Sequence, residues 1–394
     1  MNLDRHKSFL IGNYALPPIE IVRGKGACLW DSTGKEYLDF TSGIAVTNLG
    51  HSHPEWVKRL QEQAEQLVHC SNLFSIPEQV RLAERLVHKI GAGKVLFCNS
   101  GAEANEAMLK LSRLHGNRLD PKRSKILVAQ NGFHGRTLGA LSATESIKYR
   151  QGFEPLLPGF VFCRLNDLSD FEKAVDDQTA AVLVESIQGE GGLHVSTDEF
   201  LLGLQDLCNR HELLFLMDEV QAGIARTGEF LGYQKSGAQP DAIAMAKGLG
   251  GGFPIGAIWV SDQHASLFTP GSHGTTFGGS PLACSAAHAV LDVIENENLI
   301  QQAQQMGNLL ADGLRNLATE FPASILEIRG RGLMLGVQLA FDPAGLISKL
   351  REKGLLTVGA AGQTLRILPP LTIKEEQVVK ALEILDSCLK ETAP

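Results

Sequence analysis

Nowhere does this chain carry an apolar run near the ~18 residues that a membrane span needs. Basic runs are missing too. The 36 Lys and Arg residues are outnumbered by 44 Asp and Glu, for a formal net charge of −8. Such a balance makes a poor binder of nucleic acid or of an anionic membrane surface. The seven cysteines (Cys28, Cys70, Cys98, Cys163, Cys208, Cys284 and Cys388) are odd in number and scattered, with no C-x-x-C pair. That argues against a disulfide framework or a zinc cluster and for a reducing cytoplasm. Met1 to Tyr14 include Asp4, Arg5, His6 and Lys7 but no apolar signal core, so no secretory signal is expected. Three nucleotide and hydrolase signatures are also absent. There is no G-x-x-x-x-G-K-[ST], no G-x-G-x-x-G despite 41 glycines, and no G-x-S-x-G. P-loop, dinucleotide and serine-hydrolase readings therefore lack their main support.

What is present is an ordinary globular mixture, 44% hydrophobic and 20% charged over 394 residues. That length fits two or three domains at roughly 100–200 residues each. Short apolar runs fall at 95–98, 125–129, 159–163, 180–185, 213–217, 242–245 and 255–260. They read as strands buried on both faces. Helical stretches such as 196–211 lie between most of them. The alternation predicts an α/β fold with a mostly parallel seven-stranded sheet sandwiched by helices, and such sheets bind ligands at the carboxyl ends of their strands. Residues 14–45 read instead as short strands, with an alternating stretch over 27–40. After residue 298 come a helix over 299–318, strand runs at 325–328, 333–339, 355–358 and 365–367, and a last amphipathic helix over 374–389. The expected division is an N-terminal segment (1–50) and a C-terminal α+β part (298–394), together a small domain, around a large domain (51–297). No linker is rich in Pro or Ser, and no repeat is found.

Three strand-end turns carry chemistry. The segment 99–106 (N-S-G-A-E-A-N-E) follows a strand and pairs Ser100 with Glu103 as a capping box, which starts a helix. Its free N–H groups suit an anion, although an ordinary cap reads the same way. Asp218 directly follows the run 213–217, where a carboxylate would face a ligand; a cap for the next helix is the plainer alternative. Lys247 ends an apolar run and precedes four glycines in five positions, 248–252. Burial disfavours its ammonium form, as imine chemistry requires, whereas a lysine snorkelling from a strand end is the commoner case. Together the three match pyridoxal phosphate, which needs a lysine for its aldehyde, an acid for its ring nitrogen and an anion site for its phosphate. His51 and His53 could ligate a metal, but no carboxylate or Cys cluster lies nearby. A turn before a helix starting at Pro54 is the better reading, and no metal is expected.

With these motifs the sequence resembles the pyridoxal-phosphate-dependent aminotransferases of fold type I, over essentially its whole length. Within them it is similar to the class-III subgroup acting on terminal amines. The likeness rests on 50–54 (G-H-S-H-P), 99–106, 132–137 (G-F-H-G-R-T), 185–192, 218–221, Lys247 and 273–279. The resemblance implies that Lys247 forms the Schiff base and later moves a proton, and that Asp218 keeps the ring nitrogen protonated. It implies that Gln221 lies near the ring hydroxyl and that Phe133 stacks on the ring. Glu185 joins the cofactor site, and Ser100, Gly101 and Ala102 hold the phosphate with Thr276 of a neighbouring subunit, which makes the enzyme an obligate homodimer. Arg136 would bind a substrate carboxylate, with Thr275 and Tyr14 nearby. Arg366 would take the α-carboxylate of glutamate or 2-oxoglutarate, and Glu190 would cover Arg366 when the terminal amine is bound. Ser186, Phe277 and Ser280 depart from the subgroup's usual Pro, Tyr and Asn.

The reaction implied is transfer of the δ-amino group of N-acetyl-L-ornithine to 2-oxoglutarate, giving N-acetyl-L-glutamate 5-semialdehyde and glutamate, a step of arginine biosynthesis. Ornithine, 4-aminobutyrate and succinyl-diaminopimelate are the alternative donors. Outside transamination, a glutamate-1-semialdehyde aminomutase shares the scaffold.

Overall fold

The computed structural model describes residues 3–392. One sheet holds seven strands in the order Gly93–Cys98, Gly256–Ser261, Ala242–Met245, Leu214–Asp218, Thr179–Glu185, Lys125–Ala129, Phe160–Cys163. All pairings are parallel except the two made by Gly256–Ser261. The connection 246–255 is shorter than the dozen or so residues that a parallel crossover needs, so the chain returns antiparallel. The two central strands, Thr179–Glu185 and Leu214–Asp218, are buried at every residue. That is why they read as unbroken apolar runs.

Side chains leave each strand to alternate faces. Leu127, Val182, Val184, Phe215, Met217 and Ile243 pack with residues of the helices Asp198–His211 and Pro281–Asn296. Their neighbours Ile126, Val128, Ala181, Leu183, Leu214 and Leu216 pack instead with the helix Gly101–Leu119. The result is the expected helix–sheet–helix sandwich, with the helix Gly101–Leu119 starting two residues after the edge strand Gly93–Cys98 ends.

The 27–40 stretch holds two short strands, Cys28–Asp31 and Glu36–Asp39, as expected. Asp31 Oδ1 accepts from the N–H groups of Thr33 and Lys35 at 2.9 and 3.0 Å and folds the chain back. Ile21–Lys25, Cys28–Asp31 and Glu36–Asp39 form an antiparallel sheet, and Leu355–Leu356 adds to it in parallel. The two ends of the chain meet there. A second antiparallel sheet, Ile325–Arg331, Met334–Leu339, Thr364–Ile367 and Val358–Ala360, packs under the helix Leu299–Glu320, against which the helix Glu375–Thr392 also lies. Pro54 does open a helix, Pro54–Gln66; of the two histidines before it, His51 pairs with Asp39 at 2.8 Å and His53 faces Glu297 at 3.3 Å. No helix among the described residues is long and apolar enough to cross a membrane, and none of the seven cysteines is in a disulfide.

Candidate active site

At the carboxyl ends of the central strands lies a cleft of about 600 Å³. Ser100, Gly101, Ala102, Phe133, Arg136, Glu185, Asp218, Gln221, Lys247 and Tyr14 all line it. These residues come from six separate segments; all but Tyr14, which precedes the strand Ile21–Lys25 of the small sheet, end or follow a strand of the seven-stranded sheet or lie on a loop leaving it.

Ser100 is the N-cap of the helix Gly101–Leu119: its Oγ accepts from Glu103 N at 3.2 Å, and Glu103 in turn accepts from Asn99 N at 2.6 Å. The first-turn N–H groups of such a helix have no partner within it and face the cleft with the positive end of the helix dipole. Gly101 has a steric reason to be glycine. A Cβ there would stand 2.6 Å from Val220 Cγ1, so a side chain would fill the cradle. Ser280, a position of departure from the subgroup, caps the helix Pro281–Asn296 by accepting from Ala283 N at 3.4 Å.

Asp218 is buried, and its carboxylate is tightly held. Oδ2 accepts from Asn105 Nδ2 at 2.7 Å and pairs with His134 Nδ1 at 2.8 Å, while Oδ1 accepts from Val220 N at 3.0 Å. A carboxylate offers about four acceptor directions, so one on Oδ1 remains for a donor in the cleft. His134 and Asn105 are residues that sequence reasoning missed. Burial by itself would lower the His134 pKa, but the hydrogen bond and charge of Asp218, with Glu185 behind, raise it above its ordinary value. His134 Nε2 has no partner among the described residues.

Lys247 follows the strand Ala242–Met245 with φ of 43°, a left-handed conformation that side chains other than glycine rarely adopt. Strain of this kind persists where the surroundings over-determine it, and here it turns the lysine into the cleft. Burial lowers the ammonium pKa below its ordinary value. Glu190 pulls it back up, and the Arg366 charge adds to the lowering. A larger share of neutral amine, the nucleophilic form, follows. Glu185 sits across the cleft, its Oε1 accepting from Phe133 N at 3.0 Å. Burial raises its carboxyl to about 8 against the pull of His134.

Behind Gln221, Arg366 is almost wholly buried. Its Nη1 donates to Gly189 O at 2.9 Å, Gln221 Oε1 at 3.0 Å and Glu190 Oε1 at 2.5 Å. Burial pushes the Glu190 carboxyl up, but the Arg366 charge and hydrogen bond outweigh it and hold the group below the usual carboxylate range. The sequence-expected pair of Glu190 and Arg366 is thus brought into contact. Thr275 and Thr276 stand apart from the cleft of their own chain. Thr275 Oγ1 accepts from Asn99 Nδ2 at 3.2 Å, and Thr276 is exposed.

An amine of lowered pKa, a carboxylate with a free acceptor direction, a helix start and the ring of Phe133 surround one cavity. Those groups fit pyridoxal phosphate in charge and donor type: the lysine for the aldehyde, Asp218 for the ring nitrogen, 100–102 for the phosphate.

Comparison with known proteins agrees. Residues 12–389 match the family model described as aminotransferase class-III. The chain is 46% identical, over 98% of its length and 98% of the relative's, to the acetylornithine aminotransferase of Caldanaerobacter subterraneus subsp. tengcongensis. It is 47% identical to that of Aquifex aeolicus, over 97% of this chain and 100% of the relative. The crystal structure of an ornithine aminotransferase from Toxoplasma gondii superposes with a TM-score of 0.95 at 34% identity, covering 98% of this chain and 94% of that one.

Proposed function

The chain belongs to the class-III aminotransferases, which are pyridoxal-phosphate enzymes, and on that footing we propose that it moves the δ-amino group of N-acetyl-L-ornithine to 2-oxoglutarate, yielding N-acetyl-L-glutamate 5-semialdehyde and glutamate, a step of arginine biosynthesis. The observation that carries the donor assignment is near-full-length similarity, at 46% and 47% identity, to two acetylornithine aminotransferases. Ornithine is the second reading, favoured by the Toxoplasma structure.

Pyridoxal phosphate, when bound, supplies an aldehyde that condenses with amines and a ring that accepts the electron pair left when the neighbouring carbon loses its proton. The Lys247 amine would hold that aldehyde, and its Nζ is placed to take the proton from the donor's δ-carbon. Asp218, backed by His134 and Asn105, holds a proton on the ring nitrogen. Ser100, Gly101 and Ala102 would bind the phosphate, and Phe133, Gln221 and Glu185, which line the same cleft, would hold the ring. Arg136 takes the α-carboxylate of the donor, with Tyr14 at the rim.

Glu190 and Arg366 reconcile two substrates in one site. The terminal amine brings methylenes past Arg366, and Glu190 neutralises the guanidinium then. Glutamate brings an α-carboxylate, which displaces Glu190 and pairs with the fork of the guanidinium. Ile44 bears on the donor. It lies two residues before Val46, which lines the cleft, and offers no acceptor for the α-ammonium of free ornithine. Leaving such a charge poorly solvated costs more than burying an amide.

The enzyme is proposed to work in the cytoplasm, which suits seven cysteines with no disulfide among them, as a homodimer with shared sites. Exposed Thr276 would serve the neighbouring copy. Leu73, Phe74 and Phe277 are exposed around it, on segments joined by Asn72 Nδ2 donating to Gly278 O at 3.0 Å and by the contact of the His69 and Phe277 rings. The test of function is glutamate formation from N-acetylornithine and 2-oxoglutarate. Glutamate should accumulate in step with the semialdehyde. Its absence, with amine exchange confined to one bound substrate, would indicate an aminomutase instead.

A further inference from the structure

Arg136 poses a problem of geometry. It is exposed, and a free arginine side chain carries rotamer entropy that a ligand site must overcome. Among the described residues it has no ion-pair or hydrogen-bond partner, so its donors are open to a ligand but nothing polar aims them. Two other features do. Its guanidinium carbon lies 4.0 Å from the centre of the Tyr149 ring and 5.7 Å from that of Phe133. Tyr149, in the short helix Ile147–Arg150, meets Phe133 edge-on, with ring centres 5.6 Å apart at 79°. The ring proposed to cover the cofactor therefore braces the ring that carries the arginine.

The backbone of Arg136 is clamped as well. On its carboxyl side, Glu106 Oε1 accepts from Thr137 Oγ1 at 2.6 Å, Gly139 N at 2.9 Å and Ala140 N at 3.2 Å. On its amino side, Gly135 has φ of 137° and lies so close to Ala102 that a Cβ would come within 2.8 Å of the Ala102 side chain. Glu106 and Ala102 belong to the same helix, Gly101–Leu119, whose start is the anion cradle. Helix and loop are thus locked together on both sides of residue 136.

We propose that Tyr149 and Glu106 are positioning residues that hold Arg136 in the orientation receiving the donor's carboxylate, so that the distance from carboxylate to cofactor phosphate is set by a single helix. The inference rests on the reading of Arg136 given above. Tyr149 acts through its ring face, which a guanidinium attracts, and not through its hydroxyl. Glu106 acts through its three accepted hydrogen bonds.

The experiment compares Tyr149→Phe, Tyr149→Leu, Glu106→Ala and Arg136→Met. Two quantities are read: the Kd of N-acetylnorvaline, which has the carboxylate but no reactive amine, and the ratio of kcat/KM for N-acetylornithine over that for 1,4-diaminobutane, which has no carboxylate. Tyr149→Leu and Glu106→Ala should each weaken N-acetylnorvaline about tenfold and lower the ratio as much, raising KM with little change in kcat; Tyr149→Phe should stay within about twofold of wild type. Arg136→Met should lose about a hundredfold on both measures. If Arg136→Met has that effect while Tyr149→Leu and Glu106→Ala leave Kd unchanged, the positioning proposal is overturned and the arginine reading stands. If Arg136→Met has no effect, the arginine reading itself fails. An equal loss on both donors would place Tyr149 or Glu106 in the fold at large and also overturn the proposal.

Discussion

Asp218 shows how a single residue acquires a role from its neighbours. Its carboxylate is fixed by Asn105, His134 and the Val220 N–H before any ligand arrives, so no reorganisation is needed when a ring proton is to be held. Losing a preorganised partner of that kind commonly costs about two to three orders of magnitude in kcat, and Asp218→Asn should show that loss in steady-state assays. Glu185 gives a pH prediction. Its carboxyl sits at about 8 in the folded chain against an ordinary 4.5. The folded state therefore keeps a proton that the unfolded chain gives up. The stability so contributed is complete below about 4.5 and is lost as pH rises through about 8. Glu185→Gln in the cofactor-free protein should flatten that fall, with a higher denaturation midpoint than wild type at pH 9 and little difference at pH 4.5. Lys247 and Asp218 were legible in the sequence because each closes an apolar run and so marks a strand end. His134 and Asn105 were not. Each meets Asp218 across a long loop in the chain, and nothing local to either residue records the meeting. Tyr149 was hidden for the same reason.

Elements explain what single residues do not. The Glu190–Arg366 contact joins the turn between the paired short strands Ile187–Gln188 and His194–Val195 to the strand Thr364–Ile367, two pieces of different sheets. Removing one partner of a buried pair leaves the other charge uncompensated at a cost of ~3–5 kcal/mol. Glu190→Ala should therefore slow the half-reaction with the terminal amine by about two orders of magnitude in single-turnover measurements, and the glutamate half-reaction far less, because glutamate supplies its own carboxylate. Equal slowing of both would exclude the exchange. The seven sheet strands were legible as continuous apolar runs, since burial on both faces leaves that trace. The reversed direction of Gly256–Ser261 was not, because a strand's residues do not record its direction. Only the shortness of the 246–255 connection does. The place of the turn at Asp31 is not recorded in the alternation of the 27–40 stretch, because it depends on one carboxylate accepting two backbone hydrogens.

For the whole molecule, pairing of copies is testable by complementation. A dimer built from Lys247→Ala and Thr276→Asp chains has one site carrying both changes and one carrying neither, if Thr276 serves the neighbour's site. Mixing the two inactive proteins after dissociation should restore about a quarter of the wild-type sites, since half of randomly formed dimers are mixed and each then has one intact site. No recovery would mean that each chain completes its own site. The donor is the central question for the molecule as a whole, and it turns on the α-nitrogen, because Arg136 orients N-acetylornithine and ornithine alike. The most direct measurement is kcat/KM for each of these two donors against saturating 2-oxoglutarate. A difference of ~3 kcal/mol in the cost of placing the α-nitrogen corresponds to about two orders of magnitude, and N-acetylornithine should lead by that factor. Equal efficiency with free ornithine would contradict the donor assignment while leaving the cofactor chemistry in place.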